Sequence, residues 1–270
     1  MRNRSTDNTF WGHVEIFRWT LIRCLAVVFV IAAIAFIFKD FIFDDVILAP
    51  ASGNFVTYRL MDSLAMLLGI TSSAAHINSI DIININLAAQ LFTHISISFY
   101  IGLIVAFPYL MIEIWLYVSP ALYDRERKPA VKGVIAFMLL FFTGITVAYF
   151  LVFPLTLNFL GTYQVSQSVV NQISLNSYIN TFVGLVFMLG VVFEMPIVAY
   201  FFAIIGVLHS DFLVKYRKVA FIIILICAAL ITPSTDIFTM MVVAVPLYLL
   251  YELSRIVVKK VERKAESHKT

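Results

Sequence analysis

Four carboxylates stand where this chain is otherwise apolar or basic, and their surroundings are the first pointer to chemistry. Glu126 lies between Arg125 and Arg127 in YVSPALYDRERK, residues 117–128, a charged, Pro-containing loop clamped between two long apolar runs. Glu194 lies deep in the apolar run VVFEMPIVAY, with Pro196 two residues on. Glu113 precedes Trp115 near the end of another such run, and Glu15 sits with His13 and Arg18 in GHVEIFRW. An ionisable group at membrane depth is costly unless it faces water, a partner or the bundle interior. Glu194 is therefore either functional or a neutral acid hydrogen-bonded to a neighbouring helix. Pro196 removes a backbone donor and kinks its helix, which suggests a concave, partly hydrated pocket. Glu126 is either a binding group presented to water or part of a solvated basic loop. Glu113 is close enough to a helix end to reach the interface. Glu15 is favoured at a helix N-terminus by the dipole, and Arg18 is placed to pair with it.

Other chemistry finds no support. His13, His76, His94, His209 and His268 are scattered, and neither a nucleophile–base pair, a phosphate-binding loop nor zinc-ligand spacing is present. Cys24 and Cys227 fall inside apolar runs and read as small core hydrophobes rather than a disulfide. The chain does not read as an enzyme, and no cofactor, metal or nucleic-acid partner is expected.

These residues must be positioned by membrane helices. Hydrophobic residues make up 61% of the chain and charged ones 13%, against roughly 25% charged in a soluble domain. A core of about 30 Å needs about 20 apolar residues per helix. That rule predicts spans near 20–38, 91–118, 130–153 and 179–207, with two shorter ones near 219–232 and 237–253, and a cytoplasmic tail over 254–270. The whole reads as one all-α membrane domain. No cleavable leader precedes the first run, which is expected to be retained. The break Thr232-Pro233-Ser234-Thr235-Asp236 has turn composition, and Asp236 is placed to cap the next helix.

Orientation follows from Lys and Arg. Arg2, Arg4, Arg18 and Arg23, then Arg125, Arg127, Lys128 and Lys132, then Lys215, Arg217 and Lys218, and finally Arg255, Lys259, Lys260, Arg263, Lys264 and Lys269 fall on one face. Of the 19 basic residues only Lys39 and Arg59 fall on the other. Six helices with both termini in the cytoplasm give this partition. Trp11, Trp19, Trp115 and Tyr117 read as an interfacial aromatic belt. On the far side, Tyr58–Ile70 is a candidate surface helix, and residues 154–178 are rich in Ser, Asn and Gln.

Taken in order, the motifs resemble TatC, the receptor subunit of the twin-arginine protein translocase. WLYVSPALYDRER, from Trp115 to Arg127, is similar to the family's W-x-F-x-x-P-A-L-Y-x-x-E-R-R loop. Phe153-Pro154, Phe193-Glu194-Met195-Pro196, Thr232-Pro233 with Asp236, and Pro246-Leu247-Tyr248 with Glu252 follow in the family's order. The resemblance runs from about Gly12 to Arg255.

The resemblance implies a cup-shaped bundle of six helices with shortened fifth and sixth helices in a bacterial cytoplasmic membrane. It also implies recognition of signal peptides carrying two adjacent arginines on folded precursors. Recruitment of single-span TatA/TatB-type subunits, self-association in a receptor complex, and transport driven by the proton-motive force come with it. Carried over to this sequence, Glu126 with its loop neighbours Tyr117, Pro120 and Tyr123, and Glu15 with Arg18, are expected to bind the signal. Glu194, Pro196, Asp236 and Glu113 are expected at the cavity or a partner contact. The N-terminal run differs from the family's H-L-x-E-L-R-x-R pattern. Ile16 stands at the Glu position, Glu15 one residue earlier, and Thr20 at the second Arg, while Met240 stands where Gln is frequent. A proton-coupled solute transporter using Glu194 is the competing reading, with little polar lining to support it.

Overall fold

Lipid cannot hydrogen-bond a backbone, so apolar runs of this length close their bonds internally as helices. The computed structural model describes residues 10–67, 82–118, 124–164, 166, 171–232 and 236–266. Five stretches are long and apolar enough to cross a membrane: Val14–Ile37, Ala89–Ile114, Gly133–Thr162, Leu175–Ile204 and Ile237–Lys264. Many of their large apolar side chains, such as Phe29, Phe92, Leu139 and Leu249, point outward, as lipid-facing surfaces do. Where the sequence reads as one membrane domain, the contacts separate two compact units: residues up to 39 with 94–139, and residues 40–93 with those from 140 onward.

The first unit is built on helices α1 (Phe10–Ile37) and α3 (Ala89–Val118) together with the first part of α4 (Asp124–Val147). The second helix, α2 (Val56–Leu67), lies in the other unit. Rising residue numbers on α1 meet falling numbers on α3, so the two run antiparallel. Phe17 meets the Tyr117 ring at 5.6 Å, Phe29 meets Phe99 at 6.3 Å, and Phe36 stacks on His94 at 3.9 Å. His94 Nε2 also lies 3.1 Å from the Phe36 carbonyl oxygen. At the crossing, a Cβ on Gly102 would lie 2.8 Å from the Val28 carbonyl oxygen and 2.9 Å from the Ala32 Cβ. Glycine there lets the two backbones touch, as small residues do in membrane helix pairs.

The second unit surrounds α6 (Leu175–Val192) and α7 (Met195–Ile204), which together form the most buried of the five spans. Phe182, Leu185, Val186 and Leu189 fill its core. The third span does not stop at Phe153 as the spacing predicted. A π-helical turn, Ala148–Val152, leads into α5 (Phe153–Thr162), with Pro154 near its start. The wider turn accommodates the proline, whose missing N–H then costs little at the head of a new helix.

The segment that follows α1 also folds. It comprises a π-helical turn Phe41–Ile47, a 3₁₀ turn Ala49–Ala51 and α2 (Val56–Leu67), a helix over most of the stretch 58–70 whose last three residues lie outside the described ones. Tyrosines lash it down. Tyr149 donates to the Val46 carbonyl at 2.7 Å, Tyr178 to Ile47 at 2.5 Å, and Tyr58 to Pro50 at 3.1 Å and Pro154 at 3.3 Å. A parallel two-residue ladder, Ile82 opposite Ile173 and Ile83 opposite Ser174, ties the two far-side connections together.

The chain finishes with α8 (Ser210–Lys215), α9 (Arg217–Ile231) and α10 (Ile237–Glu266). The fifteen residues of α9 rise only about 22 Å, so the fifth expected span is a short helix. Residues from 254 to 266, expected as tail, continue α10. Val258 is fully buried against Ala199 and Ala203, and Tyr251 donates to the Leu213 carbonyl at 2.5 Å. The Ser210 N–H donates to Glu262 Oε1 at 2.9 Å, so an acidic side chain from α10 satisfies the open N-terminus of α8.

Candidate functional site

Two groups of expected site residues emerge, one in each unit. In the first, the signal-binding candidates sit at the head of α1 and around the α3–α4 connection. Glu15 pairs with Arg18 at 3.8 Å, one helical turn apart, and both side chains are largely exposed. Such a pair contributes little to stability. Arg18 also lies over the Trp19 ring at 5.8 Å. Tyr117, half-buried near the end of α3, packs on Phe17. Glu126 is the third residue of α4, in its first turn, where a carboxylate is favoured by the free N–H groups; its side chain lies outside the described residues. Pro120 and Tyr123 lie outside them as well.

Glu113 differs from its sequence expectation. It is buried rather than reaching the interface, and it accepts from Arg23 Nη2 at 2.9 Å and from the Tyr109 hydroxyl at 2.8 Å. Arg23 Nη2 also donates to Thr20 Oγ1 at 3.2 Å. Arg23 had counted only as a topology-determining charge. Its signal was nonetheless present: a cation inside LIRCLA needs an anionic partner, and an acid near the matching end of α3 supplies it.

In the second unit, Glu194 ends the α6 helix rather than continuing it. The Glu194 N–H donates to Val191 at 3.1 Å in a tightened turn, and the Glu194 carbonyl accepts from both Ile197 and Val198 at 3.0 Å. Pro196, second in α7, lacks the N–H that would have closed onto the preceding turn. The Glu194 side chain is 5% exposed. The backbone at Phe141 approaches its carboxylate, yet neither oxygen has a partner with hydrogen-bond geometry among the described residues. The carboxylate is thus buried beside a helix break, with no side-chain hydrogen-bond partner among the described residues.

Asp236 acts on its own helix. Its Oδ1 accepts from the Thr239 N–H at 2.8 Å, and the Thr239 hydroxyl donates to the other oxygen. This is the N-cap of α10 expected from the sequence.

One further charged group escaped the sequence reading. Arg217 Nη2 lies 2.6 Å from Glu252 Oε1, and Arg255 lies 3.0 Å from Glu252 Oε2. Arg217 Nε donates to the Tyr248 hydroxyl at 2.9 Å. The 2.6 Å pair is a charge contact without hydrogen-bond alignment. Together these contacts bind the start of α9 to α10.

With this geometry in place, comparison with known proteins is informative. The profile of the Sec-independent protein translocase protein (TatC) family matches residues 12–246. The chain belongs to the TatC family. TatC of Blattabacterium sp. subsp. Periplaneta americana (strain BPLAN) is 34% identical over 257 residues, covering 94% of this chain and 96% of that one. TatCy of Bacillus subtilis (strain 168) is 34% identical over 181 residues, 67% of this chain and 71% of its own. A crystal structure described as the twin-arginine translocase receptor TatC superposes with a TM-score of 0.69 at 28% identity, covering 93% of this chain and 99% of that one. A second, of the receptor in DDM, gives 0.67 at 29% identity, covering 91% and 98%. A TatC-family chain is a membrane component of the Sec-independent, twin-arginine translocase, which sets the solute-transporter alternative aside.

Proposed function

We propose that this protein is the signal-peptide receptor of its twin-arginine translocase. It sits in the bacterial cytoplasmic membrane with both termini in the cytoplasm, binds two adjacent arginines of a folded precursor's signal, and recruits TatA/TatB-type subunits. The observation that supports this most directly is the composition of the first unit. It contains the head of α1, bearing Glu15 and Arg18, and the first turn of α4, bearing Glu126. The basic residues around these elements support a position on the cytoplasmic side. A guanidinium fork binds a carboxylate bidentately where an ammonium cannot.

Glu194 carries the second half of the reading. A buried carboxylate without a side-chain partner among the described residues, beside a break in its span, suits a polar contact from the inserted signal peptide or from a partner's helix. Transport driven by the proton-motive force and self-association in a receptor complex complete the picture drawn from the family.

Photo-crosslinking from a probe at position 126 or 127 to a ribosome-synthesised precursor tests the receptor role. Crosslinks to an Arg-Arg signal but not to its Lys-Lys version are expected. Equal crosslinking to both, or none to either with the protein folded, would overturn it.

A further inference from the structure

We propose that Glu113 is a second guanidinium-binding carboxylate for the signal peptide, and that Arg23 occupies it in the resting chain until a signal arginine displaces it. The inference rests on the receptor reading above. It begins from an asymmetry: the Glu113 side chain is 10% exposed and that of Arg23 53%. Arg23 can therefore swing its head group into water or among lipid head groups while its stem stays apolar. Glu113 cannot follow. A carboxylate left in that place needs another cation.

The resting pair is also incomplete. Arg23 engages Glu113 through a single nitrogen, Nη2, on a single oxygen, Oε2, and the same nitrogen serves Thr20 Oγ1. Tyr109 takes the other oxygen, Oε1. A carboxylate group has up to about four acceptor positions, so one hydrogen bond on each oxygen among the described residues leaves room for a forked donor. An arginine arriving with both nitrogens would be a better partner than the one already there.

Position favours the exchange. Glu113 lies five residues before the end of α3, about 8 Å along the axis, and Glu126 opens α4 on the other side of the same connection, within the same unit. Adjacent side chains of an extended peptide point to opposite faces. One carboxylate cannot serve both arginines of such a pair, whereas two separate ones can. Arg23 then acts as a competitor built into the chain, lowering affinity for any peptide that cannot replace its guanidinium.

The full chain in lipid nanodiscs, with synthetic signal peptides bearing Arg-Arg or Lys-Lys, provides the test. Phenylglyoxal labelling of Arg23, read by mass spectrometry, is expected to rise several-fold when Arg-Arg peptide saturates the wild type, and not with Lys-Lys peptide. Arg23→Gln is expected to tighten Arg-Arg peptide binding several-fold, Glu113→Gln to weaken it about tenfold, and the double variant to match Glu113→Gln alone. Unchanged or reduced labelling on binding, or weaker binding by folded Arg23→Gln, would overturn the exchange and leave a pair that only clamps α1 to α3. Should Arg23→Gln fail to fold, the wild-type labelling decides by itself. Wild-type protein that binds both peptides equally would instead sink the receptor reading, and this inference with it.

Discussion

Gly144 on α4 and Phe193 at the end of α6 stand so close that a Cβ on the glycine would lie 2.7 Å from the Phe193 Cβ. The same Cβ would lie 3.0 Å from the Gly190 Cα, so α4 crosses α6 almost backbone to backbone, one residue before Glu194. Gly144→Ala must therefore push the helices apart. The expected cost is about 1–3 kcal/mol, seen as a lower denaturation temperature in detergent. An unchanged transition would mean that the crossing has slack.

Glu194 separates function from fold because its carboxylate has no side-chain hydrogen-bond partner to lose among the described residues. Removing a buried polar group that makes no hydrogen bond leaves none unmade. Glu194→Gln and Glu194→Leu are both expected to express and fold near wild-type levels, with Glu194→Leu losing crosslinks to the signal peptide or to a partner helix. If both variants collapse equally in folding assays, the carboxylate is structural.

For Glu126 the expectation is the reverse of a stability effect. A hydrogen bond to a charged group contributes about 1.5–3 kcal/mol, so Glu126→Ala should weaken an Arg-Arg signal by roughly 10- to 100-fold. Its thermal transition should stay where it was. Peptide titration checks the first and a melting curve the second; wild-type affinity would remove Glu126 from the site.

Tyr58 gives an alkaline signature. Its hydroxyl is buried between the Pro50 and Pro154 carbonyls, and burial pushes its pKa well above the ordinary range. In the unfolded chain a tyrosine ionises near about 10. Below that pH both states hold the proton and the contribution is fully present. Above it the unfolded chain loses its proton first, and stability falls as pH rises. Tyr58→Phe should be less stable at neutral pH yet lose less on going from pH 9 to 11, measured by denaturant titration at each pH. A parallel loss in both proteins would show that Tyr58 does not carry this dependence.

The sequence alone was enough for the membrane class, the family and the order of the helices. Run length against bilayer thickness is a one-dimensional quantity, and so is the order of the motifs along the chain. The Asp236 cap was legible for the same reason, since a cap acts within one turn of its own chain. So was the exposed Glu15–Arg18 pair, three residues apart. The third span continues beyond Phe153 although the run-length rule asks for no more than about 20 residues, and only the π-helical turn at Ala148–Val152 shows how the helix absorbs Pro154. Residues 254–266 read as tail because they are charged, whereas Val258 and Glu262 are held by α7 and α8.

What tertiary structure alone decided is which charges meet. Arg23 and Glu113 are 90 positions apart, and Arg217 and Glu252 stand on different helices. Their pairing depends on how helices turn and cross, which local propensity and hydropathy do not encode. Gly102 and Gly144 look alike in sequence to any other glycine; only the crossing backbones give them a reason to be small. Partners likewise separate Glu194, with no side-chain hydrogen bond among the described residues, from Glu113, which accepts from Arg23 and Tyr109, although both are buried acids in apolar runs.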